Sequence, residues 1–202
     1  MQITGILKHK SISASKSRLI INEPMRNFLG LRYWRIFLLL LLASASQSAL
    51  AQEAHDYAVH ANIIYHFTKY IDWPENKKSG DFIIGVVGDS PVYDELKKNV
   101  DDKKVGDQKI RIHKFSVSAT SFNCQILFIS DDKSRSIKKI VAATAGTSIL
   151  LVSETEGLAQ KGACINFTIV ADHLKLEINK NNIEQRKLNI ASELLQLGKI
   201  VK

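Results

Sequence analysis

The sequence has little cysteine and little proline, two and three residues respectively among 202. It also lacks an apolar run of the roughly 20 residues that a helix needs to cross hydrocarbon. The longest run, Ile36 to Ala43, decays into Ser44, Ser46, Gln47 and Ser48, which argues against a membrane anchor. There is no Gly-x-Ser-x-Gly elbow for a nucleophilic serine, no Gly-Lys-Ser/Thr phosphate loop and no dinucleotide glycine spacing. Past residue 51 the histidines are His55, His60, His66, His113 and His173, and none stands four residues from another as a zinc pair on one helix does. No metal, no cofactor and no catalytic residue is therefore expected, and the chain reads as a non-enzyme. Repeats, low-complexity tracts and a second domain are missing as well.

What is present begins with an address. Arg26, Arg32 and Arg35 form a basic flank, the run from Ile36 to Ala43 follows, and Ala49-Leu50-Ala51 offers small residues at the two positions a signal peptidase reads. Residues 1–51 are thus expected to be an N-terminal extension and signal peptide, cleaved after Ala51, leaving 52–202 as a single domain outside the cytoplasm. No cysteine lies near the expected cleavage point, which argues against a lipoprotein signal. Met25 followed by Arg26 makes an alternative start to Met1.

The address also carries most of the charge. Seven of the 28 basic residues and one of the 20 acidic ones lie in it, leaving 21 basic and 19 acidic groups and a net charge of +2. So balanced a domain gives no electrostatic support to nucleic-acid binding. Its size suits one domain around one core.

Along that domain the hydrophobic period changes in an informative order. Val59, Ile63, Ile64, Phe67, Tyr70 and Ile71 recur at three- and four-residue steps, predicting an amphipathic helix from Glu53 to Ile71 that Asp72-Trp73-Pro74 ends. Phe82 to Val87, Gln125 to Ser130 and Ser148 to Val152 are short continuous apolar runs, the mark of strands buried on both faces. Lys109 to Phe115 alternates and reads as an edge strand. Helices are predicted over Val92 to Asn99, with Ser90 as cap and Pro91 in the first turn, and from Asp131-Asp132 to Ala143, with acids at the positive end. Ile165 to Val170 and His173 to Ile178 flank Ala171-Asp172 as an antiparallel hairpin, and Ile190, Leu194, Leu197 and Val201 share one face of a terminal helix. The sum is an α/β fold: a Rossmann-like, mostly parallel sheet flanked by helices, with a C-terminal antiparallel hairpin and a terminal helix.

Three features invite a functional reading. Gly88, Asp89 and Ser90 sit just past the carboxyl end of a strand and before a helix, where doubly wound sheets bind ligands, so the turn is either structural or a small-ligand or anion site. Cys124 and Cys164 each precede a strand-like run and are either a disulfide or two buried thiols. Of the aromatics Tyr65, Phe67, Tyr70 and Trp73, the second and third share the apolar face, while Tyr65 and Trp73 are the better candidates for exposure at a partner surface.

Residues 57–74, Tyr-Ala-Val-His-Ala-Asn-Ile-Ile-Tyr-His-Phe-Thr-Lys-Tyr-Ile-Asp-Trp-Pro, resemble the opening signature of the YfiR family of periplasmic proteins. Val87-Gly88-Asp89-Ser90-Pro91, Cys124 to Ile129, Gly162 to Phe167, and Leu176 to Asn179 followed by Ile190 to Leu195 agree in the same order. The resemblance implies a periplasmic, non-enzymatic regulator that binds and represses an inner-membrane signalling protein, a diguanylate cyclase or a sensor kinase, and thereby controls cyclic diguanylate and biofilm formation. It also implies sequestration by an outer-membrane lipoprotein. Only Cys124 falls at a common family cysteine position, so a family disulfide does not carry over. The alternative from the residues themselves is a periplasmic small-molecule or anion-binding sensor module. No nucleic-acid partner is expected, and a homo-oligomer stays open.

Overall fold

Residues 57–171 and 173–202 are described by a computed structural model. The export segment, its cleavage point, His55 and the first turn of the predicted helix lie outside the described residues. The first element is helix α1, residues 57–70, whose Ala61, Ile64 and Phe67 are fully buried at the expected helical spacing. Strand β1 (Ile71–Asp72) continues it directly, and Pro74 then turns the chain away.

The centre of the sheet comes from the three apolar runs. They form β2 (Phe82–Val87), β5 (Ile126–Ile129) and β6 (Leu150–Ser153), with nearly every residue buried because helices cover both faces. Between them lie α2 (Val92–Asn99), the two-residue β3 (Lys104–Val105), β4 (Gln108–Phe115) and α3 (Ile137–Ala143). Asp131 to Ser136 forms a tighter 3-10 segment that feeds α3, so the predicted helix is present with its first turns overwound. The remaining elements are β7 (Ile165–Val170), β8 (His173–Asn179), α4 (Lys180–Gln185), β9 (Asn189–Ile190), α5 (Ser192–Gln196) and β10 (Gly198–Val201).

The eight-stranded sheet has the order β10-β8-β7-β6-β5-β2-β4-β3, and β1 pairs separately with β9. Neighbours from β4 through β7 run parallel, β7 and β8 form the expected hairpin, and β10 returns parallel to β8. Since β2 leads outward through α2 to β4 and β5 leads the other way through α3 to β6, right-handed crossovers set α2 and α3 on opposite faces. Helix α1 covers the α2 face, with Phe67 stacked 6.2 Å from Phe167. Helix α4 is tied to the α3 face, where Arg186 Nη1 donates to Thr144 O at 3.1 Å.

Three details depart from the sequence reading. Trp73 is buried at 4% exposure, because its ring meets Phe82 edge-on at 5.0 Å and its one donor finds the Gln125 carbonyl at 3.2 Å. The terminal helix α5 is short, and Leu197 and Val201 lie beyond it; Gly198 starts a strand instead, since it sits where a Cβ would collide with the Ile178 side chain. Strand β4 is one place in from the sheet's end, bordered by β3. Of the two alternatives for Cys124 and Cys164, the structure has two free, buried thiols. Strand β6 separates them, a lateral distance of about 10 Å, and Cys164 is level with Leu151 while Cys124 lies before the start of β5. That is well outside the roughly 4.4–6.8 Å between Cα atoms that a disulfide bridges.

Candidate interaction surface

The turn after β2 takes its shape from Gly88, whose φ of 101° is costly for a side-chain-bearing residue, and where a Cβ would run into Ser130 Oγ and Asp132 Oδ1. The space is occupied by the Asp132 carboxylate. Asp89 N donates to Asp132 Oδ1 at 3.2 Å, Ser130 Oγ is hydrogen-bonded to the same carboxylate, and Lys133 Nζ meets its other oxygen at 2.7 Å. The lysine first and the serine second hold the Asp132 pKa down to about 2. The turn thus holds a carboxylate of its own chain. Ser90 Oγ accepts from Val92 N at 3.3 Å and starts α2 as its predicted cap. Gly88, Asp89 and Ser90 are consecutive in this turn, and Asp89 and Ser90 each have a local partner.

Beside the turn, Asp131 N donates to Glu154 Oε1 at 3.0 Å and Thr155 Oγ1 donates to Asp131 Oδ1 at 2.7 Å. Burial raises the Glu154 pKa above the usual carboxylate value, and the Asp131 amide partly opposes it. These bonds knit the ends of β5 and β6 together. The histidines do not converge: His60 packs 4.6 Å from Phe167, His66 faces another groove, and His113 and His173 are exposed. Among the described residues no group of three His, Cys, Asp or Glu is placed to hold a metal. Neither cysteine is poised as a nucleophile, since burial pushes the thiol of Cys124 up to about 12 and that of Cys164 to about 11.

The unspent chemistry lies at the β7–β8 hairpin. Strand β7 pairs with β6 only at Ile165 and Asn166, but with β8 along its whole length. From Phe167 onward the hairpin therefore outruns the sheet, and the side chains at its end lose their cover. Ile169 is 75% exposed and Val170 56%. The turn is tight enough to hold Ala171 at a φ of 50°, in the left-handed region that two-residue hairpin loops demand.

Two clefts flank this projection. One, of about 410 Å³, has Tyr57, His60, Phe167 and Ile169 as its apolar and aromatic wall and the acids Asp131, Glu154 and Glu156 at its rim. The other, of about 360 Å³, is a mostly apolar groove in which Ile63 and Tyr70 of α1 face Leu174 and Leu176 of β8 and Leu194 and Leu197 of α5. An apolar ridge between two clefts, edged by charge, is the anatomy of a protein-binding surface. Sequence reasoning had missed it; the available signal was Ile169-Val170 directly before a turn, where polar residues are the rule. Of the aromatics offered for a partner surface, Tyr65 is half-buried, with Lys103 Nζ 4.5 Å and Lys69 Nζ 5.4 Å from its ring centroid, and Trp73 belongs to the core.

Fold and surface together define a class: a doubly wound α/β domain whose exposed features suit the binding of another macromolecule. Within that class the chain belongs to the YfiR/HmsC-like family, whose model matches residues 57–199. The family is periplasmic, and is regulatory rather than catalytic, in the setting of cyclic diguanylate signalling. No curated protein matches the chain. Among the described residues no helix is long and apolar enough to cross a membrane.

Proposed function

We propose that this protein is exported to the periplasm by cleavage after Ala51, and that the domain 52–202 binds and represses an inner-membrane diguanylate cyclase. The β7–β8 ridge and its flanking clefts are the contact surface. The observation that carries the proposal is the exposed Ile169-Val170 pair on a hairpin that outruns the sheet, in a chain of the YfiR/HmsC-like family. Two adjacent apolar side chains on a rigid ribbon cost little entropy to order and lose water-exposed area on docking, which suits an anchor. An outer-membrane lipoprotein that covers the same ridge relieves the repression by competition. The occupation of the Gly88 turn by Asp132 supports a protein partner over an anion ligand.

The test is recovery of the tagged protein from detergent-solubilised membranes, with cellular cyclic diguanylate measured in parallel. Wild type is expected to bring down a membrane cyclase, and its deletion to raise cyclic diguanylate. Ile169→Glu is expected to weaken recovery at least tenfold, the loss of about 1.4 kcal/mol at an interface anchor, with an unchanged melting temperature. Absence of any membrane partner, or full recovery by Ile169→Glu, overturns the proposal.

A further inference from the structure

The net charge of the domain is small, but its charges are unevenly spread. From Lys133 to Ser153 the chain carries Lys133, Arg135, Lys138 and Lys139 and no acidic residue. Helix α2, on the other face of the sheet, balances Asp94 and Glu95 against Lys97 and Lys98. Arg135, Lys138, Lys139 and Ala142 are exposed and recur at three- and four-residue steps, so they line the outward side of α3 and of the turn that feeds it, while Ile137 and Ile140 face the core. Two neighbours extend the patch. The 3-10 turn Ala159–Lys161 lies against α3, since a Cβ at the adjoining Gly162 would come within 2.7 Å of Val141 Cγ2, and it exposes Lys161. The end of α4 abuts the end of α3 through the bond from Arg186 to Thr144, and the exposed Lys187 follows it. The acids nearest in the chain, Asp132 and Glu184, are already paired with Lys133 and Lys180. We infer that this α3–α4 face adsorbs to the surface of an anionic phospholipid bilayer.

The composition of the face selects a membrane over a protein partner. Four of its five cations, Arg135, Lys138, Lys139, Lys161 and Lys187, are lysines, and the exposed residues that follow on α3 and its end, Ala142, Ala145 and Gly146, are small. Lysine and alanine are depleted at protein interfaces, whose anchors are aromatic or arginine side chains seated in pockets. A charged plane needs neither pocket nor register. It rewards the number of cations held within a Debye length of it, each contributing about fivefold in affinity. The acids Asp131, Glu154 and Glu156 gather elsewhere, at the rim of the cleft beside the β7–β8 ridge, so the field that draws α3 towards the bilayer turns that rim away. The groove between α1 and β8 lies on the opposite face of the sheet and stays open. On the function proposed above, adsorption concentrates the repressor in the plane of its target while leaving its contact surface uncovered.

Co-sedimentation with lipid vesicles tests this, using protein purified from cells that express the full sequence. The vesicles are phosphatidylcholine alone or mixed equally with phosphatidylglycerol; they hold no cyclase, so the outcome is independent of the protein partner. Wild type is expected to partition onto the anionic vesicles and to leave them as salt shortens the Debye length from about 10 Å at 0.1 M towards about 3 Å at 1 M. Lys138→Gln combined with Lys139→Gln is expected to weaken partitioning at least tenfold, with an unchanged melting temperature because both side chains are exposed. Lys98→Gln combined with Lys103→Gln removes the same charge from the α1–α2 side, where Lys103 Nζ lies 4.5 Å from the Tyr65 ring. That pair is expected to leave partitioning within about twofold, being further than a Debye length from a bilayer touching α3. No partition onto anionic vesicles, equal partition onto neutral ones, binding that survives the double substitution in α3 or high salt, or an equal loss from the control pair overturns the inference. So does an acidic protein cross-linked at this face through Lys138 and Lys139 while the vesicles go unbound.

Discussion

Trp73 donates from Nε1 to the main-chain carbonyl of Gln125 at 3.2 Å, fastening the end of the first helical unit to the start of the central strand β5. The Gln125 side chain completes the clamp. Its Oε1 accepts from Ile83 N at 2.8 Å and its Nε2 donates to Lys77 O at 3.0 Å, so a loop, a strand edge and an indole meet at one residue. Gln125→Met keeps the length of the side chain and strands the Ile83 amide. The expected cost is about 1–3 kcal/mol in urea denaturation, whereas Trp73→Phe removes one bond and is expected to cost about 1 kcal/mol beyond the lost packing. Because the indole bonds to main chain, Gln125→Met leaves Trp73 fluorescence buried in character even as stability falls.

The Gly88 turn makes a sharper prediction. An added methyl group there meets Ser130 Oγ and Asp132 Oδ1, and the positive φ is strained for alanine as well. Gly88→Ala is expected to destabilise the fold by at least the roughly 1–3 kcal/mol of backbone strain alone, read as a lower urea midpoint with an unchanged slope.

A pH-dependent effect is expected at Glu154, whose pKa burial raises. A carboxyl that binds its proton more tightly in the folded state costs stability as pH rises through the range between its ordinary value, 4.5, and its raised one. At neutral pH that cost is fully present. Glu154→Gln keeps an oxygen for the Asp131 amide and removes the buried charge. The variant is therefore expected to melt higher than wild type at pH 7, with the gain shrinking as the pH falls through the raised value and gone below the ordinary one. Parallel melting curves at neutral and acid pH check it.

The cysteines supply the fourth prediction. With thiols pushed up to about 12 and about 11 by burial, neither forms appreciable thiolate at mildly alkaline pH. A maleimide or disulfide reagent is expected to label neither residue in the native protein and both after denaturation. Mass spectrometry of unreduced protein is expected to show two free thiols; a native disulfide contradicts the separation described above.

Much of this architecture is legible in the sequence, for a physical reason. Strands buried on both faces carry no alternation to disguise them, so Ile126-Leu127-Phe128-Ile129 and Ile149 to Val152 stand out, and Ala171-Asp172 marks a hairpin by its spacing alone. The C-terminus is less legible. Ile190, Leu194, Leu197 and Val201 have helical spacing, yet the partners that decide their conformation, Ile71 for Ile190 and Asn179 for Val201, are remote in the chain. Trp73 is misread for a related reason, since an aromatic beside proline looks like a surface turn until the Gln125 carbonyl is in place to receive its N–H. The surface resists sequence reading most. That Ile169 and Val170 are exposed depends on β6 ending before β7 does, a difference in strand length between elements that no local pattern encodes.

The pairing of Ile71 with Ile190 and of Asp72 with Asn189 closes the structure across almost its whole described length. Strands that meet only after everything between them has been made form late, because non-local pairing must wait for its partner and for the loop it closes. Synthesis delivers α1 first and β9 and β10 last, so the nascent chain has no means of completing its fold while part of it is still to come. The β1–β9 pairing thus acts as a clasp, the last contact to close and the one whose loss would open the domain from its ends inward.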